Sequence, residues 1–200
     1  MIKTIAFDME GVLVKSGKKS IQESVAKEFG IKIKNWIEII RPIIRLSSKG
    51  RISKRETLAR IKEVLNENHK KIENALKEFY KKSYKTNKIM LELSKKLKKR
   101  YKIIIMSNLG HLAKEVLVEN RNMKHFKNKI ISCDIGKSKA NKKFFEIALK
   151  KSKTKPNEMV FIDNLKINVS TAKELGIKAV LFKNNKQVIK ELGKLGVKVT

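Results

Sequence analysis

The sequence predicts an α/β fold, a doubly wound parallel sheet of Rossmann type with an inserted block of helices. From Ile89 onward, short apolar runs alternate with helical periodicity. Strands that alternate with helices imply crossover connections and a parallel sheet. From Ser20 to about Lys85 the periodicity is helical throughout, which indicates a helical bundle between the first and second strands. We therefore expect an α/β core over 1–15 and 87–200 and a helical cap over 16–86.

Length and composition restrict the class of protein. A chain of 200 residues suits one domain or a core with a modest insertion. Its hydrophobic content of 41% is enough for a core, and its one cysteine, Cys133, suits a reducing compartment. No apolar run approaches the length of a membrane span, and the N-terminus leads directly into a strand pattern. We expect a cytoplasmic protein without a membrane partner, and no pattern predicts its oligomeric state.

The net charge is unusual, with 49 Lys and Arg residues against 19 Asp and Glu residues, or +30. Such a chain attracts polyanions without sequence preference. However, the basic residues are mostly lysines, and they occur in every segment of the chain. A dedicated nucleic-acid surface should be clustered. This distribution favours a compositional bias, and it leaves nucleic acid as a possible, non-specific partner.

The first strand leads into an acidic turn. The apolar run that ends at Phe7 is followed by Asp8, Glu10 and Gly11. An apolar run before a polar turn is typical of a buried strand, and open α/β sheets place their chemistry just beyond the carboxyl ends of such strands. Two acids at this spacing can face each other across a small polar ligand. The alternative is a solvated acidic turn.

Four helices are predicted in the inserted block, and no strand. The first ends at Gly30, the second runs around Trp36 with a kink at Pro42, the third begins at the capping box Ser53–Glu56, and the fourth begins near Lys70. Their apolar faces can form a small bundle.

The second half of the chain contains further predicted strands. They are Tyr101–Met106, Ile130–Ile131, Met159–Ile162, Ala179–Phe182 and an edge strand at Val197–Val199. Polar residues follow two of them, namely Ser107 with Asn108 and Asp163 with Asn164.

These polar residues should converge. The carboxyl ends of parallel strands meet at one edge of the sheet, so Asp8, Ser107 and Asp163 are expected there together. Lys139 precedes the helix after the third strand, which brings an ammonium to the same edge. Carboxylates with substrate oxygens are ligands of Mg²⁺, while hydroxyl, amide and ammonium groups donate to phosphoryl oxygens. Because the sequence has no Gly-rich phosphate loop, we do not expect nucleotide binding of the P-loop type.

With these residues in order, the sequence resembles the haloacid dehalogenase-like hydrolases over nearly its whole length. The four stretches that resemble the family's motifs are Phe7–Leu13, Ile105–Asn108, Cys133–Lys139 continuing to Leu149, and Phe161–Asn164 continuing to Ile177. The resemblance implies a phosphatase with a helical cap between the first two motifs.

The resemblance also implies roles for individual residues. Asp8 would be the nucleophile that forms an aspartyl-phosphate, and Glu10 would act as general acid and base. Asp8, Asp163 and the backbone carbonyl of Glu10 would hold Mg²⁺. Ser107, Asn108 and Lys139 would bind the phosphoryl group, with Asn164 behind the metal ligands.

Three residues depart from the commonest family pattern. Glu10 stands where most members carry Asp, Asn164 replaces a frequent second Asp, and Ala140 replaces a usual Pro. The dehalogenating branch has no carboxylic acid at the position of Glu10, so an acid there favours phosphate-ester chemistry. The leading hypothesis is a Mg²⁺-dependent phosphatase of a small phosphorylated metabolite. The alternatives are a sugar-phosphate mutase and a catalytically weak protein that binds nucleic acid or polyphosphate.

The histidines and the cysteine are assigned no role in catalysis. His69, His111 and His125 show no metal-ligand spacing and are expected at surfaces or helix ends, although His111 is close to Asn108 in sequence and could approach the site. Cys133 is not expected to be a nucleophile, because the sequence indicates no His partner.

Overall fold

The computed structural model of the chain describes residues 1–16 and 21–199. Ser20, where the helical block is predicted to begin, lies outside these ranges. The strands are β1 (Thr4–Phe7), β2 (Val14–Ser16), β3 (Tyr84–Thr86), β4 (Lys102–Ser107), β5 (Asn128–Ile131), β6 (Met159–Asp163) and β7 (Lys178–Leu181). The α-helices are α1 (Ile21–Glu28), α2 (Ile33–Asn35), α3 (Arg41–Ser48), α4 (Lys54–Leu65), α5 (His69–Ser83), α6 (Lys88–Leu97), α7 (His111–Leu117), α8 (Ser132–Ile135), α9 (Lys142–Ser152), α10 (Lys166–Glu174) and α11 (Asn185–Lys194).

Five strands form one parallel sheet in the order β5-β4-β1-β6-β7. The first strand of the chain is therefore the central one. In its register, Phe7 lies beside Ile105 of β4 on one side and beside Ile162 of β6 on the other. The chain leaves β1, β4 and β6 at the same edge of the sheet. The predicted parallel α/β sheet is confirmed.

Helices cover both faces of this sheet, and the alternation of side chains along β1 shows why. Ile5 and Phe7 belong to an apolar cluster with side chains of α6, α7 and α11. Ala6 points the other way and packs with Phe144 of α9 and Ala172 of α10. Successive side chains of a strand point to opposite faces, so the apolar residues Ile5, Ala6 and Phe7 bury β1 on both sides, and the buried Thr4 hydroxyl is paired with the Thr154 hydroxyl at 2.7 Å. All four residues of β1 are buried.

Between β2 and β3, the described residues 21–83 contain the helices α1 to α5. Ser53 caps α4 as predicted, since its hydroxyl oxygen accepts a hydrogen bond of 3.1 Å from the backbone N–H of Glu56. Trp36 is buried. A π-helical turn, Trp36–Ile40, leads directly into α3, and Pro42 lies in the first turn of α3. Pro42 has no N–H to donate to the preceding turn, so it lies where the regular helical hydrogen-bond pattern gives way to the π-helical turn.

The prediction that this block contains no strand is wrong at its end. β3 pairs with β2 in an antiparallel ribbon, in which Tyr84 lies opposite Ser16 and Thr86 opposite Val14. β2 and β3, the two segments that connect the sheet with the helices, thus pair with each other. The division into a core (1–15 and 87–200) and a cap (16–86) stays a prediction.

The predicted edge strand at Val197–Val199 is also wrong. Val197 is buried, and its N–H donates to the carbonyl of Leu192, which closes the turn after α11. The N–H of Lys198 donates to the hydroxyl oxygen of Tyr101 at 2.8 Å, and not to a strand. Across residues 1–16 and 21–199, each helix is either too short or too polar to traverse a lipid bilayer.

Candidate active site

The polar residues predicted at the sheet edge do come together. Asp8 follows β1 directly, while Ser107 and Asp163 are the last residues of β4 and β6. Because β1 lies between β4 and β6, the three side chains are neighbours across adjacent strands. A cavity of about 300 Å³ opens at this edge. It is lined by Asp8, Glu10, Gly11, Ser16, Tyr84, Ser107, Asn108, Lys139, Asn164, Leu165 and Asn168.

Asp8 is held through one of its two carboxylate oxygens. Its Oδ1 accepts hydrogen bonds from the Ser107 hydroxyl at 2.9 Å and from the backbone N–H of Met9 at 2.7 Å. The ammonium of Lys139 lies 2.6 Å from the same oxygen. The backbone N–H of Asp8 donates to the carbonyl of Ile162 in β6. These contacts fix both the backbone and the carboxylate of Asp8 against the neighbouring strands.

Lys139 is an almost fully buried ammonium that bridges two acids. Its Nζ lies 2.6 Å from Asp8 Oδ1 and 2.6 Å from Asp163 Oδ2, and it lies 5.7 Å from the centre of the Phe161 ring. Asn108 positions the loop that carries it, because the backbone N–H of Lys139 donates to Asn108 Oδ1 at 2.9 Å. A buried ammonium needs such partners, because an unpaired charge in the interior is costly.

Asp163 is held by a residue to which the sequence analysis assigned no role. The Asn168 amide donates to both carboxylate oxygens of Asp163, at 3.1 and 3.0 Å, and the N–H of Leu165 donates to Asp163 Oδ1 at 2.8 Å. Asn168 and Asp163 are both buried. Asn168 lies in the first turn of α10, so its side chain reaches back to the end of β6. The feature of the sequence that could have identified Asn168 is its position five residues after Asp163, near the start of the next helix.

Glu10 and Asn164 lie on the outer wall of the cavity. The hydroxyl of Tyr84 lies beside the Glu10 carboxylate, close enough to lower its pKa. Asn164 packs on the turn at Gly11, where a Cβ would lie 2.5 Å from the Asn164 Cγ. Gly11 has a φ of +87°, a conformation that glycine adopts without steric cost. Tyr84 was not singled out from the sequence, because it lies at the end of a predicted helix.

The charge in the site is unbalanced. Burial raises the pKa of Asp8 to about 7; Lys139 opposes this shift, and the neighbouring carboxylate of Asp163 adds to it. Burial also raises the pKa of Glu10, against the effect of the Tyr84 hydroxyl. Among the described residues, Asp8, Glu10 and Asp163 face the single ammonium of Lys139. Three carboxylates with one buried cation are a donor set that fits a hard divalent cation such as Mg²⁺.

A second group of polar side chains comes together in the fold, although the sequence did not predict it. His111, Cys133 and Asp134 place their imidazole, thiol and carboxylate atoms within 4.8 Å of one another. His111 thus lies near Cys133, which the sequence did not indicate, because α7 and α8 are brought together only in the fold. Burial raises the pKa of the Cys133 thiol to about 12, and the Lys114 ammonium pairs with Asp134 at 2.9 Å. A protonated thiol is a weak nucleophile.

Comparison with known proteins identifies the family. The family model described as haloacid dehalogenase-like hydrolase matches residues 2–176. The chain belongs to this hydrolase family. The matched range includes the ends of β1, β4 and β6 and therefore every residue that was predicted for the site. The resemblance inferred from the four motifs is confirmed.

Curated relatives match a shorter part of the chain. Bifunctional epoxide hydrolase 2 of Mus musculus is 34% identical over 71 residues, and its counterpart in Rattus norvegicus is 32% identical over 71 residues. These stretches cover 36% of this chain and 13% of each relative. The part of this chain that matches thus spans about an eighth of the length of these relatives.

Solved structures match nearly the whole chain. A HAD family enzyme from Bacteroides thetaiotaomicron, in complex with magnesium and inorganic phosphate, is 25% identical with a TM-score of 0.76, covering 92% of this chain and 95% of that one. A predicted HAD-like family hydrolase from Porphyromonas gingivalis has a TM-score of 0.79 at 22% identity and covers 99% of both chains. A 2-haloacid dehalogenase from Pseudomonas syringae has a TM-score of 0.69 at 15% identity, covering 97% of this chain and 99% of that one. These likenesses show that the chain shares its fold with these structures.

Proposed function

We propose that this haloacid dehalogenase-like hydrolase is a Mg²⁺-dependent phosphatase that hydrolyses a small phosphorylated metabolite through an aspartyl-phosphate. One observation carries the proposal: Lys139 bridges Asp8 and Asp163 beside the Ser107 hydroxyl, in a cavity that also contains the acid Glu10. A nucleophilic carboxylate, donors for phosphoryl oxygens and a proton donor are thus within one space of about 300 Å³. A cavity of that size suits a small substrate.

The carboxylates of Asp8 and Asp163 and the backbone carbonyl of Glu10 would hold Mg²⁺. When bound, the ion would supply positive charge that reduces the repulsion between the Asp8 carboxylate and an incoming phosphate. The excess of carboxylates over ammonium groups in the site supports this assignment. Further support comes from the Bacteroides thetaiotaomicron enzyme, which was solved in a magnesium complex and with magnesium and inorganic phosphate.

Two half-reactions account for the roles of the side chains. In the first, a carboxylate oxygen of Asp8 attacks phosphorus, and the bond from phosphorus to the leaving oxygen breaks while Glu10 gives that oxygen a proton. In the second, Glu10 takes a proton from water, the water oxygen attacks phosphorus, and the bond to Asp8 breaks. Inorganic phosphate leaves and Asp8 is restored. Ser107 and Lys139 donate to the phosphoryl oxygens as charge develops on them.

The presence of Glu10 favours a phosphate ester over a carbon–halogen bond. An alcohol leaves from phosphorus as a basic alkoxide unless it receives a proton, whereas a halide leaves as a stable anion. A carboxylic acid that lines the cavity is therefore useful for the first reaction and not for the second. Burial raises the pKa of Glu10, which favours the protonated form that the leaving oxygen needs.

The test is hydrolysis of p-nitrophenyl phosphate with and without Mg²⁺ by the wild type and by Asp8→Asn. We expect Asp8→Asn to lower kcat on the order of 10³-fold or more, because the amide cannot attack phosphorus. Asp134→Asn makes the same chemical change at an acid away from the cavity and should leave kcat unchanged. Equal rates in the wild type and Asp8→Asn would refute the proposal. With a sugar phosphate as the substrate, formation of an isomerised sugar phosphate, and not of free phosphate, would assign a mutase.

A further inference from the structure

Tyr84 connects the helical block with the acid Glu10. It is the first residue of β3, the strand that returns from the helices to the sheet, and it lies opposite Ser16 of β2. Its ring stacks on that of Tyr80, with 6.3 Å between ring centres and 17° between ring planes. The strand pairing and the stacked ring hold Tyr84 in place on two sides. Tyr84, Ser16 and Glu10 all line the cavity at the sheet edge.

The Tyr84 hydroxyl is a neutral hydrogen-bond donor. It lies beside the Glu10 carboxylate on the wall of the same cavity, and burial together with the charge of Glu10 raises the pKa of the phenol well above its usual range. The phenol is therefore protonated at neutral pH and can act as a hydrogen-bond donor. Tyr80 also lies near the charge of Glu10, but its interaction is through space and it makes no hydrogen bond to that carboxylate.

Glu10 needs such a partner because its side chain has three rotatable bonds. Without a fixed contact, its carboxyl group would sample several rotamers, and most of these would direct the acidic proton away from a leaving oxygen. Proton transfer requires the acid and the leaving oxygen to be within hydrogen-bond reach. A donor on a stacked ring, held by a paired strand, can restrict these rotamers by engaging one carboxylate oxygen of Glu10, which would leave the other for the substrate.

We propose that Tyr84 is a positioning residue that orients the Glu10 carboxyl toward the leaving group of the substrate. This inference rests on the proposed phosphatase function. Tyr84 does not need to contact the reacting atoms, since it acts through Glu10. Because Tyr84 belongs to the β2–β3 ribbon, the orientation of the general acid depends on the strand that leads back from the helical block.

The test compares Tyr84→Phe with the wild type on p-nitrophenyl phosphate and phenyl phosphate. The two substrates have nearly the same shape, but phenoxide is the more basic leaving group and depends more on a proton from Glu10. We expect Tyr84→Phe to lower kcat/KM, which reports the steps up to departure of the leaving group, about 10-fold for phenyl phosphate and no more than about 2-fold for p-nitrophenyl phosphate, within the range of general acid catalysis. A merely structural role would lower both rates equally.

Two further variants complete the experiment. Tyr80→Phe removes a hydroxyl from the other ring of the stacked pair and should leave both rates unchanged. In a Glu10→Gln background, Tyr84→Phe should have no further effect on phenyl phosphate, because there is no acid left to orient. The Phe ring keeps the stacking on Tyr80, and the thermal midpoint verifies that the variant is folded.

The outcomes separate this inference from the proposed function. If the wild type hydrolyses both substrates and Tyr84→Phe slows both equally, or slows Glu10→Gln further, the role of Tyr84 is refuted and the phosphatase proposal stands. If the wild type hydrolyses neither substrate, the phosphatase proposal fails and this inference fails with it.

Discussion

At the residue scale, Gly11 is required both by its own backbone conformation and by the side chain of Asn164 beside it. Its φ of +87° disfavours any L side chain, and a Cβ would lie 2.5 Å from the Asn164 side chain, which lines the cavity. We expect Gly11→Ala to lower the free energy of unfolding by about 1–2 kcal/mol from backbone strain alone. Displacement of Asn164 should in addition lower kcat/KM. Chemical denaturation and steady-state kinetics measure the two effects.

Gly30 provides the matched control for this substitution. It also has a positive φ, +62°, but a Cβ there would meet no atom within 4 Å. Gly30→Ala should therefore show the backbone strain without a change in kcat/KM. If both variants lose the same stability and keep full activity, the contact between Gly11 and Asn164 has no functional consequence.

At the element scale, a cluster of four charges joins three helices. Lys54 of α4 pairs with Glu73 of α5 at 2.6 Å and with Glu115 of α7 at 2.8 Å. Lys77 of α5 pairs with the same two carboxylates, at 2.6 and 2.7 Å. The cluster therefore ties the helices of the inserted block to a helix that covers the sheet. Each member is a quarter to a third exposed, so solvent screens the attraction.

The pH dependence of stability tests this cluster. Hydrogen bonds from Lys54 and Lys77 lower the pKa of Glu73, and they lower that of Glu115 against the effect of burial. A carboxyl group whose pKa is lowered in the folded state stabilises the protein above its unfolded pKa of about 4.3, and this contribution is lost as the pH falls through the folded value. Glu115→Gln should therefore be less stable than the wild type at pH 7, by about 1 kcal/mol, and the difference should shrink below pH 4.

Thermal unfolding at a series of pH values provides the measurement, with Glu92→Gln as the control. Glu92 is paired with Lys95 three residues along the same helix, and among the described residues it makes no ion pair with another helix. Its substitution should change the unfolding midpoint little at any pH. A constant difference between Glu115→Gln and the wild type from pH 7 to pH 3 would contradict the role of the cluster.

At the scale of the whole molecule, the net charge of +30 comes from residues throughout the chain, and the residues of the site contribute little to it. We expect the protein to be retained on heparin, with an elution that depends steeply on salt, because lysines spread over the chain release counterions from a polyanion. The retention should be the same for Asp8→Asn, since the site contributes little to the total charge. Elution from heparin at increasing NaCl concentration measures both proteins. Weak retention at moderate salt would contradict this expectation.

Most of the fold could be predicted because it depends on local patterns. Apolar runs such as the one that ends at Phe7 mark buried strands, and strands that alternate with helices imply the parallel sheet that the structure shows. The ribbon of β2 with β3 and the irregular chain at Val197–Val199 were not predicted. Whether a short segment pairs depends on which other segment lies beside it, and periodicity does not report this.

The same distinction applies to the site. By itself the sequence determined that Asp8, Ser107 and Asp163 lie at one edge, because each follows an apolar strand and parallel strands end at the same edge of a sheet. The tertiary structure alone decided that Lys139 bridges two of these acids, that Asn168 holds Asp163, and that Tyr84 reaches Glu10. Two of these contacts join segments that are distant in the chain, and the contact of Asn168 joins the start of a helix to the end of the preceding strand. Whether such contacts form depends on how the elements pack.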